Sequence, residues 1–292
     1  MKHLSKFLMI SLAVLMASCS DDDPKNPGED PENPDTPQYS YTETPGYAQC
    51  YVLVDGNRQV AGPVNFGIDF DAKKAMVEFN NVASLSEANS FTLNGFSWKV
   101  DDDNVGESTS APLHATYSTG KEATVKDFEF EWNQWLSSTS LEGESTCYFE
   151  FSLDGKKLEG VSMPFTFYGT TTSTSEGVDP FTSGVNAIIA TPDFEKMEMS
   201  VLINGAQFAA AMPGLPIAIE GIPMEISKDN KTFTFSASML IPSIMGVPYP
   251  TYECSNISGR LNPFEGMTFQ FDCNVMGRKI YNVQTSPTLF GN

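Results

Sequence analysis

The chain carries one unit twice, so it must fold as two copies of a single architecture or as two halves of one. A gapless match of 14 residues at an offset of 126 sets FTLNGFSWKVDDDN (Phe91 to Asn104) over IAIEGIPMEISKDN (Ile217 to Asn230). Apolar residues coincide at Phe91/Ile217, Leu93/Ile219, Phe96/Ile222, Trp98/Met224 and Val100/Ile226, and Gly95/Gly221, Asp103/Asp229 and Asn104/Asn230 are identical. Two further segments are collinear with it. FDAKKAMV from Phe70 meets FEKMEMSV from Phe194, and YFEFSLDGKKL from Tyr148 meets QFDCNVMGRKI from Gln270.

Within each copy the hydrophobic period is two, as in STCYFEFSLD, KTFTFSAS and MTFQFDCNV, and Asp-Gly, Asp-Asn, Asn-Pro and Pro-Gly turns bound the runs. Some seven or eight strand-like runs per copy, with no helix-period stretch beyond the N-terminus, predict an all-β protein. The expected fold is two tandem antiparallel β-barrel or β-sandwich domains. The predicted organisation is a signal peptide at 1–18, a tethered stalk at 19–45, β domain 1 at 46–168, a Thr/Ser/Gly linker at 169–185 and β domain 2 at 186–292. A single barrel made of two half-copies is the less favoured alternative.

The second copy, through MEMSVLINGAQF, PIAIEGIPMEI, KTFTFSASMLIPSIMGVPYPTYECSNISGRL and MTFQFDCNVMG, resembles the calycin-like (lipocalin-like) domains of Bacteroidetes surface lipoproteins. The resemblance covers most of residues 190 to 286 and extends faintly to 46 to 168. It implies a meandering antiparallel barrel and no chemistry, because fold does not fix function.

The N-terminus gives an address. A basic head (Lys2, His3, Lys6), an apolar run from Phe7 to Met16 and then Ala17-Ser18-Cys19 form a secretory signal too short to span a bilayer. The small pair before Cys19 resembles a bacterial lipobox, which implies acylation of Cys19 and an anchor in outer-membrane lipid. Met16 stands where leucine is usual. Ser20-Asp21-Asp22-Asp23 resembles the acidic export tag of surface lipoproteins in Bacteroidetes. From Asp21 to Pro37 the chain holds seven acidic residues, one lysine and five prolines, a composition that builds no core. Extended as polyproline II, these residues would reach roughly 50 Å.

Charge and residue inventory exclude whole classes of function. A net charge of -20 argues against nucleic acid, which needs basic patches to release counterions from phosphate. Once the signal is removed, His114 is the single histidine, so any histidine triad or histidine metal site rests on one residue with no second in reserve, which makes both poor candidates. No cofactor and no metal site is expected. Paired carboxylates such as Glu129 and Glu131 have strand spacing and read as a solvated face. The Asp101-Asp102-Asp103-Asn104 run fails the EF-hand pattern, with Val105 and Pro112 where oxygen ligands belong.

Four cysteines remain after Cys19. The midpoint of Cys254 and Cys273 falls inside the LNPFEG turn, so a symmetric hairpin sets them opposite each other as a candidate disulfide; two buried thiols are the alternative. Cys50 and Cys147 are then the leftover pair by arithmetic alone. Candidate ligand contacts are Trp135, flanked by amides as in a sugar-stacking surface, and Trp132. Met245 and Tyr249 lie in the apolar, proline-rich stretch 239–249, which could line a barrel mouth, face a partner or fold back as a buried loop. The expected function is a non-catalytic surface lipoprotein that presents a β surface to a small-molecule, glycan or protein ligand. A structural or adhesive component of tandem β-sandwiches is the alternative.

Overall fold

The computed structural model describes residues 39–85, 87–101, 104–109, 111–133 and 146–289. The described residues form one compact unit. The first sheet comprises β1 (Thr42–Tyr47), β2 (Gln49–Val54), β3 (Asn57–Ala61), β4 (Val64–Asp69), β5 (Lys74–Phe79), β6 (Phe91–Ser97), β7 (Lys99–Asp101), β8 (Asn104–Thr109), β9 (Leu113–Tyr117), β10 (Glu122–Asn133), β11 (Thr146–Leu153) and β12 (Lys156–Met163). The second comprises β13 (Phe165–Gly169), β14 (Thr171–Ser175), β15 (Val178–Thr182), β16 (Asn186–Asp193), β17 (Glu198–Ala206), β18 (Leu215–Ile226), β19 (Phe233–Leu240), β20 (Ser243–Ile244), β21 (Val247–Pro248), β22 (Cys254–Asn262), β23 (Gly266–Val275) and β24 (Lys279–Thr285).

The two sheets share one topology. The first is ordered β1-β4-β5-β6-β9-β10-β11-β12-β2-β3 and the second β13-β16-β17-β18-β19-β22-β23-β24-β14-β15. In each, an opening hairpin (β2-β3, β14-β15) leaves the first strand, crosses the sheet and pairs with the last strand. Each sheet curls until residues from nearly all its strands meet in one core. The sequence duplication is therefore a duplication of fold.

Local details repeat as well. Asp69 Oδ1 and Asp193 Oδ1 each accept two backbone N–H bonds, from Asp71 and Ala72 in one copy and from Glu195 and Lys196 in the other. Gly95 (φ +73°) and Gly221 (φ +71°) are each the extra residue of a β-bulge, where the left-handed backbone favours glycine. That is why glycine stands at both aligned positions.

The stretch expected to be a linker is built into the second sheet. Thr171–Ser175 and Val178–Thr182 form the β14-β15 hairpin, and β14 ladders onto the last strand, β24. Its serine and threonine content reflects strand alternation: Thr171 and Ser173 are buried while Thr172 and Thr174 are exposed. The first sheet also begins at Thr42 and ends at Met163, so β13 belongs to the second repeat.

The repeats are joined through a wall of the first sheet that is buried on both faces. On β2, Cys50, Val52 and Val54 enter the first core, whereas Tyr51 and Leu53 enter the second, together with Val161 of β12. This double burial explains why CYVLV is continuously apolar, as strands covered on both faces are. The second repeat covers the wall with the turns at one end of its barrel. Phe194 stacks on Tyr51, Phe264 packs on Tyr51 and Tyr148, and Lys231 donates to the buried Glu159 at 2.6 Å. Tyr51 donates to the Asn230 carbonyl at 2.7 Å, and the Asn230 amide donates to the Gly56 carbonyl at 3.0 Å.

The equivalent wall of the second repeat is polar. The β23-β24 hairpin carries one residue more than β11-β12, because Val275 pairs with Lys279 where Leu153 pairs with Lys156. Counting ladder partners from there sets Tyr51, Leu53, Tyr148 and Val161 against Thr172, Thr174, Gln270 and Gln284, all four exposed. One wall is written to be covered and its copy to face water, so the contact is made once. Burial of side chains such as Tyr51 and Leu53 is worth about 2 kcal/mol each. The double substitution Tyr51→Thr with Leu53→Thr, which installs the second repeat's residues, should split a single calorimetric unfolding transition into two. A single transition, merely shifted, would contradict this account.

Candidate functional site

The strands of the second repeat have two ends. One bears the turns that dock on the first repeat, at 194–197, 227–232 and 263–265. The other bears the loops 207–214 and 241–253 and the turn 276–278. Among the described residues, seven of the eleven exposed large apolar side chains lie at this second, free end. They are Met239 near the end of β19, Ile241, Met245, Val247 and Tyr249 on the loop that follows it, and Met276 and Ile280 on the neighbouring hairpin. An apolar concentration of this kind needs a reason, whereas scattered exposed residues do not.

This end forms where the duplication breaks. Phe91 and Ile217, aligned in sequence, each start a ladder to a following short strand, with Tyr117 and Ile244 as partners. In the first repeat that strand, β9, continues across to β10. In the second it is the two-residue β20, which turns back at once to pair with β21. Met245 (φ +53°) and Gly246 (φ +75°) are the two turn residues, both left-handed as a type I′ hairpin requires. Ile244 anchors the hairpin in the core, leaving Met245 82% exposed at the tip.

The loop is braced. The Tyr249 N–H donates to the Pro242 carbonyl at 2.9 Å, and Tyr249 meets Tyr252 edge to face at 5.9 Å. A short 3-10 turn at Pro250–Tyr252 follows, and the Met276 N–H donates to the Thr251 carbonyl at 2.6 Å, which ties the second hairpin to the first. Pro242, Pro248 and Pro250 restrict the unfolded chain and stiffen this path. Arg278 and Lys279 flank the apolar residues and are exposed. The nearby FAAAMPGLP stretch divides: Phe208 is buried against Phe271 and Tyr281, and Met212 is half-buried.

The structure sorts the residues that the sequence singled out. Met245 and Tyr249 are exposed neighbours at the free end, so the stretch does not fold back as a buried loop. Trp132 is not a surface contact: it is 3% exposed and stacks on Phe66 at 5.4 Å with an interplanar angle of 8°. Its place as the last inward residue after Phe128 and Phe130 sends it into the core. Trp135 and Cys19 lie outside the described residues, as do Asp102 and Asp103. Met276 and Ile280 were missed, although the MGRKI run, two apolar residues around a Gly-Arg-Lys turn, is visible in the sequence.

Among the described residues the chemistry-bearing groups stand apart from one another. His114 is exposed on β9 opposite Thr124. Among the described residues no three His, Cys, Asp or Glu side chains group as metal ligands would. Burial pushes the Cys50 thiol up to about 12 and holds Cys147 well above the ordinary thiol range. Both therefore stay protonated at neutral pH, which suits packing and not nucleophilic attack. Cys50 and Cys147 flank Ser162 from opposite sides of β12, two strands apart. At about 4.8 Å per strand step their backbones stand about 9.6 Å apart, too far for a disulfide, so the leftover pairing fails. Burial would raise Glu150, but hydrogen bonds from Lys157 and Tyr148 outweigh it and lower its pKa, so this carboxylate is a charged structural partner.

No family model matches the chain, and no curated protein does. The solved structure of intact Ap-TbpB, with N and C lobes, aligns over 86% of this chain and 78% of its own, at 8% identity and a TM-score of 0.25. A likeness that distant carries no argument about mechanism. The structure does predict how two sequence candidates differ. Trp132→Ala should lower stability by about 3–5 kcal/mol in urea unfolding, whereas Met245→Asp should change it by less than about 0.5 kcal/mol. Equal losses would refute the assignment of one to the core and the other to the surface.

Proposed function

We propose that the protein is a non-catalytic surface lipoprotein, anchored in the outer membrane through Cys19, that binds a partner protein with the free end of its second repeat. The observation that carries this reading is the braced apolar end around Met245 and Tyr249. Rigid loops lose little entropy on binding, and methionine adapts its shape to a partner. Residues 19–38 serve as anchor and stalk, consistent with their acidic, proline-rich composition. Against the alternative of an adhesive fibre stands the polar wall of Thr172, Thr174, Gln270 and Gln284, which offers no copy of the contact that joins the repeats.

One experiment in intact cells tests both halves. A photo-crosslinking amino acid at Met245 or Tyr249 should give a discrete adduct with one protein, and at the exposed Thr268 of the outer wall it should not. A fatty-acid analogue should label the wild-type chain and not Cys19→Ala. Adducts absent at Met245 and Tyr249 would overturn the binding surface, and label retained by Cys19→Ala would overturn the anchor.

A further inference from the structure

We propose that Cys254 and Cys273 form an intrachain disulfide that closes the base of the apolar end, while Cys50 and Cys147 remain thiols. Cys254 opens β22 and Cys273 lies near the end of β23, and the ladder sets them directly opposite each other. Their neighbours Glu253 and Asn274 exchange the hydrogen bond, with the Asn274 N–H donating to the Glu253 carbonyl at 2.9 Å. Ladder pairs alternate, so 254/273 is the non-hydrogen-bonded pair, in which Cα atoms approach to about 4.5 Å and side chains are closest. That separation lies within the range a disulfide spans.

The side chains point the same way. Both sulfurs reach one oxygen, the Tyr252 carbonyl, at 3.4 Å from Cys254 and 3.7 Å from Cys273. Both residues are free thiols in this structure and both are fully buried, so the bond would be shielded once made. Tyr252 is the residue whose ring braces Tyr249, and β23 leads directly into Met276. A link at this point fixes the two loops of the free end to each other at their root. The same geometry denies a bridge to Cys50 and Cys147, which the intervening β12 separates.

The reaction is dithiol-disulfide exchange with an external disulfide as oxidant. One S–S bond forms between Cys254 and Cys273 as the oxidant's S–S bond breaks, and the two protons and two electrons leave on the oxidant as two thiols. The proposal draws on the exported location only as the natural source of that oxidant. The test supplies its own, so its outcome is independent of the anchor and of the binding partner.

The full-length chain is reduced, unfolded, refolded in a mixture of oxidised and reduced glutathione, denatured and alkylated, and its peptides are weighed. The expected result is a Cys254 peptide joined to a Cys273 peptide, two hydrogens lighter than their sum, with Cys50 and Cys147 fully alkylated. Adding reductant before alkylation should release the pair. Alkylation of Cys254 and Cys273 without reductant, or a bridge involving Cys50 and Cys147, would overturn the proposal. Reductant should also lower the thermal midpoint of the wild type by roughly 5–10 °C. It should leave that of the Cys254→Val, Cys273→Val double variant unmoved; an equal fall in both would count against the bond.

Discussion

The structure depends on burying both faces of the wall made by β2, β11 and β12. A curled sheet ordinarily has one wet face, and tandem domains joined by a polar linker move freely unless an apolar interface holds them. Here Tyr51, Leu53 and Val161 carry the second repeat's core across the boundary, so each repeat completes its burial with help from the other. The polar atoms at the seam are satisfied as well. Lys231 neutralises Glu159, and Tyr51 and Asn230 bond across the seam. Removing that lysine would leave the buried Glu159 carboxylate without its ion-pair partner, at a cost in stability.

The alternation of strands, the duplication and its glycine bulges were legible in the sequence because each is a local pattern. Phe91/Ile217 and Gly95/Gly221 align in sequence and occupy the same ladder and bulge positions in space. The linker was misread for a physical reason. TTSTS is polar because its outward face is solvated, and nothing local reveals that its inward Thr171 and Ser173 ladder onto a strand about a hundred residues away. CYVLV carried the converse signal: an apolar run that breaks the period of two marks a strand buried on both faces. Only the long-range arrangement says what covers the second face.

The candidate site was half legible for a related reason. Stretch 239–249 stood out as apolar and proline-rich, but whether it folds in or out depends on β20 being too short to bridge to β22. Trp132 shows the opposite case, where an aromatic near a strand end continues the inward face and becomes core. The free end of the second repeat thus differs from its counterpart in the first where β20 turns back to β21 instead of continuing across the sheet as β9 does. A local change of strand pairing on a repeated scaffold lets one copy acquire a surface of its own without losing its core.

The central claim is that the doubly buried wall makes the two repeats one cooperative unit. Native-state hydrogen exchange tests this most directly, since amides that open together report one free energy. Amides of β2 and β12 should exchange with the same opening free energy and denaturant dependence as those of β23 and β24. A distinctly lower opening energy for β23 and β24, with β2 and β12 still protected, would show that the second repeat unfolds alone and would contradict the account.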